Sequence, residues 1–190
     1  MQMDSLQKLY EDHLKDLHSV ERQIIQALPK MIKAAEDEEL SGALEEHLEV
    51  TREQLARLDD IFQKLGKRGT GKKCKGMEGL LKEGNEAIDE DGDPQLVDAA
   101  LIAAAQRVEH YEIAAYGCAR TYAEALGLND DVAVLQQTLD EEAETDEQLT
   151  QISLSILSPD AQTPIAVEAD ADRPAARRPQ SRSKNTEARP

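Results

Sequence analysis

Six residues pair metal-binding chemistry with an unusual setting: Glu21, His47, Glu109, Glu112, Glu142 and Asp146. Glu21 falls four residues after Leu17, three before Ile24 and seven before Leu28. His47 is seven after Leu40 and three after Leu44, with Thr51 and Gln54 following on the same face. Glu109 is seven after Ile102 and four before Ile113; Glu112 is four after Val108 and three before Ala115. Glu142 is seven after Leu135, three after Leu139 and seven before Leu149, and Asp146 is one helical turn further on. Such intervals place an acid or an imidazole on the buried stripe of an amphipathic helix. Carboxylates buried at one level raise one another's pKa, a cost that a shared cation removes. Carboxylate oxygen with imidazole nitrogen suits iron, manganese or zinc rather than calcium alone. The competing reading is a set of half-exposed flank charges or a hydrogen-bonded polar layer.

Four long helices must position these groups. The first starts at an Asp4 or Ser5 cap and runs to about Ala35, with the apolar stripe Leu6, Tyr10, Leu14, Leu17, Ile24, Leu28, Met31. Pro29 is expected to kink it. Asp37 caps the second, which ends near Leu65 with Gly66 as its stop. Asp93-Pro94 opens the third, which ends at Leu126 before Gly127. Asn129 is expected to cap the fourth, with Asp130 and Asp131 in its first turn and its end near Leu157. Connections of two or three residues make the first and second helices, and the third and fourth, antiparallel hairpins. The segment 67–93 is long enough to travel the length of the bundle and carries its own short helix, about 77–89. The expected fold is therefore all-α, a ferritin-like four-helix bundle with one long crossover.

The heights agree with this arrangement. With the first hairpin turn near residue 36, the level partner of Glu21 is near residue 51, about 6 Å along the axis from His47. With the second turn near residue 128, the level partner of Glu112 is near residue 144, with Glu142 and Asp146 each about 3 Å away.

Composition narrows the alternatives. The chain has 190 residues and a net charge of −17, from 39 acidic and 22 basic residues. Aromatic residues are 3 %, which argues against a sandwich or barrel. Two cysteines and the acidic balance disfavour a disulfide scaffold and a nucleic-acid binder. No apolar run approaches the roughly 20 residues of a membrane span. The start Met1-Gln-Met-Asp-Ser is no signal peptide, so a cytoplasmic protein is expected. Residues 1–157 form the expected bundle. Residues 158–190 carry five of the seven prolines and six basic against five acidic residues, the composition of a disordered tail. A weak polyanion contact through Arg173, Arg177, Arg178, Arg182, Lys184 and Arg189 is the alternative to a plain solvated tail.

Particular segments resemble the YciE/YciF family of ferritin-like proteins. They are Leu17-His18-Ser19-Val20-Glu21-Arg22-Gln23, His47-Leu48-Glu49 with Thr51 and Arg57, and Cys74-Lys75-Gly76-Met77-Glu78-Gly79-Leu80. The longest is Ala100-Leu101-Ile102-Ala103-Ala104-Ala105-Gln106-Arg107-Val108-Glu109-His110-Tyr111-Glu112-Ile113-Ala114. The last is Thr138-Leu139-Asp140-Glu141-Glu142 with Thr145-Asp146. The resemblance covers about residues 3–157. It implies a ferritin-like fold, a centre of two metal ions, a homodimer and an association with bacterial stress responses. One departure stands out: members commonly carry a carboxylate at position 50, where this chain has Val50. Glu49 sits about 200° from His47 on the helical wheel, and His110 about 100° from Glu109.

Weaker features remain. Gly69-Thr70-Gly71-Lys72-Lys73 reads as a flexible basic turn, because no strand precedes it and the phosphate-loop spacing is incomplete. Cys118 is expected at a buried small apolar position. Tyr111 and Tyr116 flank the site, as core packing or as donors of an electron or proton.

Three functions are consistent with these features. The first is an iron or manganese protein acting on dioxygen or peroxide, its two ions held by Glu21, His47, Glu109, Glu112, Glu142 and Asp146. The second is iron binding or storage without turnover. The third is a non-enzymatic stress or dimerisation protein with a vestigial centre, which Val50 favours. Metal ions and a second copy of the chain are the expected partners, and neither a membrane nor nucleic acid is expected.

Overall fold

A computed structural model describes residues 5–89 and 92–158. The expected 158–190 tail lies, beyond Ser158, outside the described residues. Five helices form in order: α1 (Leu6–Ala34), α2 (Glu38–Lys64), α3 (Lys75–Ile88), α4 (Pro94–Ala125) and α5 (Asn129–Ile156).

Local chemistry explains their limits. The Ser5 side chain accepts from Lys8 N, that of Asp37 from Leu40 N and that of Asp93 from Gln95 N, filling orphan donors of the first turns. After α2 and α4 the chain turns at Gly66 (φ 64) and Gly127 (φ 72), a left-handed conformation that glycine adopts without a Cβ clash. Helix α1 continues through an exposed Pro29. Two expectations are corrected here. Asn129 is the first helical residue rather than the cap; Leu128 stands before it, with no side-chain capping bond. The crossover helix begins at Lys75, two residues earlier than its apolar pattern suggested.

Two contacts fix the topology. Asp98, buried near the start of α4, accepts from the backbone N–H groups of Glu36 (3.1 Å) and Asp37 (2.8 Å). The start of α4 thus lies beside the α1–α2 turn. At the opposite end, Tyr10 of α1 donates to Asp131 of α5 at 2.9 Å. Helices α1 and α5 therefore run one way, and α2 and α4 the other. The 65–93 connection must travel the length of the bundle, as the expected crossover requires. It does so along α1: Cys74 N donates to Ser19 Oγ (2.9 Å) and Gln23 Nε2 to the Cys74 carbonyl (3.1 Å). A Cβ on Gly69 would come within 2.5 Å of the His18 ring, so only glycine lets the connection lie this close.

The core divides into two apolar halves. Ile24, Leu28, Leu40, Leu44, Ile102 and Leu149 fill the half beside the α1–α2 turn. Tyr10, Leu14, Leu58, Phe62, Ala119 and Leu135 fill the other. Each large side chain so buried contributes about 1.5–3 kcal/mol. Leu6, expected on this stripe, is instead exposed in the first turn of α1. Between the halves lies a buried polar layer.

Candidate metal centre

That layer holds most of the residues singled out by type and spacing. His47 of α2, Glu109 and Glu112 of α4, and Glu142 of α5 each present one ligand atom, all within 4.8 Å of one another. All four side chains are buried. Glu21 of α1, fully buried, adjoins them: it accepts from the Tyr116 hydroxyl, and its charge is felt by Glu112. Each long helix thus sends at least one such group to the same level. Asp146 stands apart from the four. Half-buried, it accepts from Gln106 Nε2 at 3.1 Å and lies 3.3 Å from Nε2 of the exposed His110. Glu46 and Glu49 point to solvent, and Val50 is half-buried.

The surrounding polar groups orient the cluster. Thr51 donates to the His47 carbonyl (2.7 Å), within its own helix. The Gln54 side-chain amide donates to both Glu142 and Glu141 (3.2 Å to the latter). Arg57 donates to Glu141. Sequence spacing had placed Thr51 and Gln54 on the His47 face. The pairing of Arg57 with Glu141 depends on how α2 and α5 are rotated, which no single-helix pattern encodes.

Burial is the main cause of the site's electrostatics. It holds the carboxyls of Glu21, Glu109 and Glu112 well above their usual range, and the Glu142 charge adds to the shift. Glu142 is also raised by burial, but the Gln54 amide that donates to it pulls it back. Burial pushes the His47 imidazole down to about 4, so the ring is neutral near pH 7 and its lone pair is free for a metal.

The donor set fits a cation on its own terms. Both His47 ring nitrogens, both Glu112 oxygens, Glu21 Oε2, Glu109 Oε2 and Glu142 Oε2 are buried without a hydrogen-bond partner among the described residues. An unpartnered buried polar group costs about 1–3 kcal/mol. One positive ion at the centre of the four converging donors would satisfy several of these atoms together. Beside His47 and Glu109 lies a cavity of about 20 Å³, walled by Ile24, Leu28, Leu44 and Leu149 and reached by Thr145.

Outside the site, Cys118 is exposed rather than buried. Tyr116 and Ala119 face the core, and a residue one or two positions from them on an α-helix points away. Cys74 is the buried cysteine, 3.0 Å from the half-buried Tyr111 hydroxyl. The 69–73 turn carries no phosphate-loop architecture, since only helices are present among the described residues. No helix among them is long and apolar enough to cross a membrane.

Comparisons with known proteins agree with the helical fold. Residues 5–162 match the family described as Domain of unknown function (DUF892). Protein YciF of Escherichia coli K12 is 41 % identical over 156 residues, covering 82 % of this chain and 94 % of YciF. The crystal structure of that E. coli stress protein superposes with a TM-score of 0.80 at 40 % identity, covering 83 % of this chain and 99 % of that one. YcfI of Rhodopseudomonas palustris, provisionally called a structural protein, has a TM-score of 0.75 at 42 % identity, covering 78 % and 94 %.

Proposed function

The chain belongs to the DUF892 family, and from that premise we propose that it is a stress-response protein whose buried carboxylate–imidazole centre binds iron or manganese and acts on dioxygen or peroxide. The observation that carries this reading is the group of unpartnered buried donors on Glu21, His47, Glu109, Glu112 and Glu142. The stress association is supported by YciF, which is called a stress protein. A homodimer in the cytoplasm is part of the same proposal and rests on the family resemblance.

A bound iron or manganese ion supplies Lewis acidity and redox chemistry. The chain supplies the rest. His47 offers a neutral imidazole. Glu109 and Glu112 hold protons in the metal-free protein and release them as they take up a cation. Gln54 orients Glu142, and Tyr116 fixes Glu21. The apolar halves on either side keep bulk water from the layer.

A second reading is a non-enzymatic stress or dimerisation protein with a residual centre. Val50 favours it, as does the provisional description of YcfI. Elemental analysis of natively purified protein, followed by peroxide and dioxygen consumption assays on the loaded protein, separates the two. Bound iron or manganese with consumption supports the first reading. Consumption no faster than that of free metal supports the second.

A further inference from the structure

We propose that the centre holds one divalent ion per chain rather than two, and that Val50 and Thr145 set this number. The inference rests on reading the layer as a metal site. In the ferritin-like carboxylate arrangement of two ions, two helices each give a glutamate and the other two each give a Glu-x-x-His pair. Here α1 gives Glu21 and α4 gives two carboxylates three residues apart, Glu109 and Glu112, so α2 and α5 would have to supply the two imidazoles. Three residues before and after His47 stand Leu44 and Val50, and three after Glu142 stands Thr145. None of the three offers a carboxylate or an imidazole.

No neighbour replaces them. Thr51 is spent on a backbone carbonyl, Gln54 turns its nitrogen toward Glu142, and Asp146 is engaged by Gln106 and His110. Glu46 and Glu49 face solvent. Five buried donor residues therefore remain. Four converge within 4.8 Å of one another, while Glu21 is tied to Tyr116. Next to Thr145, where the second pair would place its imidazole, the structure has a cavity of about 20 Å³ whose walls are apolar apart from Thr145 and the already counted donors His47 and Glu109. That is above the roughly 10–15 Å³ that one water needs, so the space is real but brings no additional ligand.

The test titrates the full chain, stripped of metal by chelation, with manganese(II) in a calorimeter and records the electron paramagnetic resonance of the filled protein. The expected result is one ion per chain with the spectrum of isolated manganese(II). In Val50→Glu, whose new carboxylate stands near the level of Glu21, the expected result is two ions with an exchange-coupled spectrum. Two ions in the native chain overturn this inference and leave the metal-binding reading standing; no ion overturns both. A folded Val50→Glu that still binds one ion overturns the role of Val50. If circular dichroism shows that variant unfolded, Thr145→His provides the same comparison, because the cavity beside it has room for added atoms.

Discussion

His47 Nε2 lies 3.4 Å from Glu109 Oε1, and both side chains are sealed from water. In most proteins such a pair is a salt bridge. Here burial opposes charge on both partners, lowering the imidazole pKa and raising that of the carboxyl. Burial therefore favours the neutral form of both partners in the metal-free protein, and a third, positive partner would restore the carboxylate's charge. The behaviour of the layer with pH and with metal follows from this relationship.

Metal affinity should rise with pH. Ions compete with the protons that burial keeps on Glu21, Glu109 and Glu112. Each proton displaced contributes about a tenfold gain in affinity per pH unit while its carboxyl remains protonated in the free protein. Calorimetric titration with manganese(II) from about pH 5 to pH 8, in two buffers of different ionisation enthalpy, reads both the slope and the protons released.

The metal-free protein should respond to pH in the opposite sense. The raised carboxyls bind more protons folded than unfolded, so their contribution falls as pH rises above their ordinary value of 4.5. His47 acts the other way: its stabilising neutrality is lost as pH falls below its ordinary 6.5 toward about 4. With three strongly raised carboxyls against one imidazole, the chelated protein should melt lower at about pH 8 than at about pH 5. Added metal should reverse the order. Melting curves with and without chelator provide the check.

Replacing Glu112 by leucine should stabilise the metal-free protein by about 1–4 kcal/mol, because a buried ionisable group gives way to an apolar one of similar volume. The same change should weaken metal binding at least tenfold. Chemical denaturation of chelated wild type and Glu112→Leu measures the first effect, and titration measures the second.

Asp98→Ala should cost about 2–4 kcal/mol. Its carboxylate accepts two backbone N–H groups of the α1–α2 turn, and the substitution removes both of these partly buried bonds at the joint with α4. Denaturant midpoints at constant m-value read the loss.

What was legible in the sequence divides along a physical line. The caps at Ser5, Asp37 and Asp93 and the stops at Gly66 and Gly127 could be read because each depends on one side chain and the backbone beside it. The burial of Glu21, His47, Glu109, Glu112 and Glu142 could be read because the helical period fixes which residues share a face. Separating Asp146 from Glu142 could not. The two lie on one face, and Gln106 of another helix decides that Asp146 turns outward. The Tyr116–Glu21 contact and the Arg57–Glu141 pair are likewise set by rotation of one helix against another. Cys118 was misplaced because a small residue in an alanine-rich helix gives no signal of which way it faces.

The central claim is that the buried layer is a cation site. Its most direct test is the metal content, by elemental analysis after reconstitution and desalting, of the native chain and of the Glu21→Ala/Glu112→Ala double variant. The account predicts tightly held iron or manganese in the native chain and none in the double variant, with the far-UV helical signal unchanged. Equal metal content in the two proteins, or none in either, would contradict it.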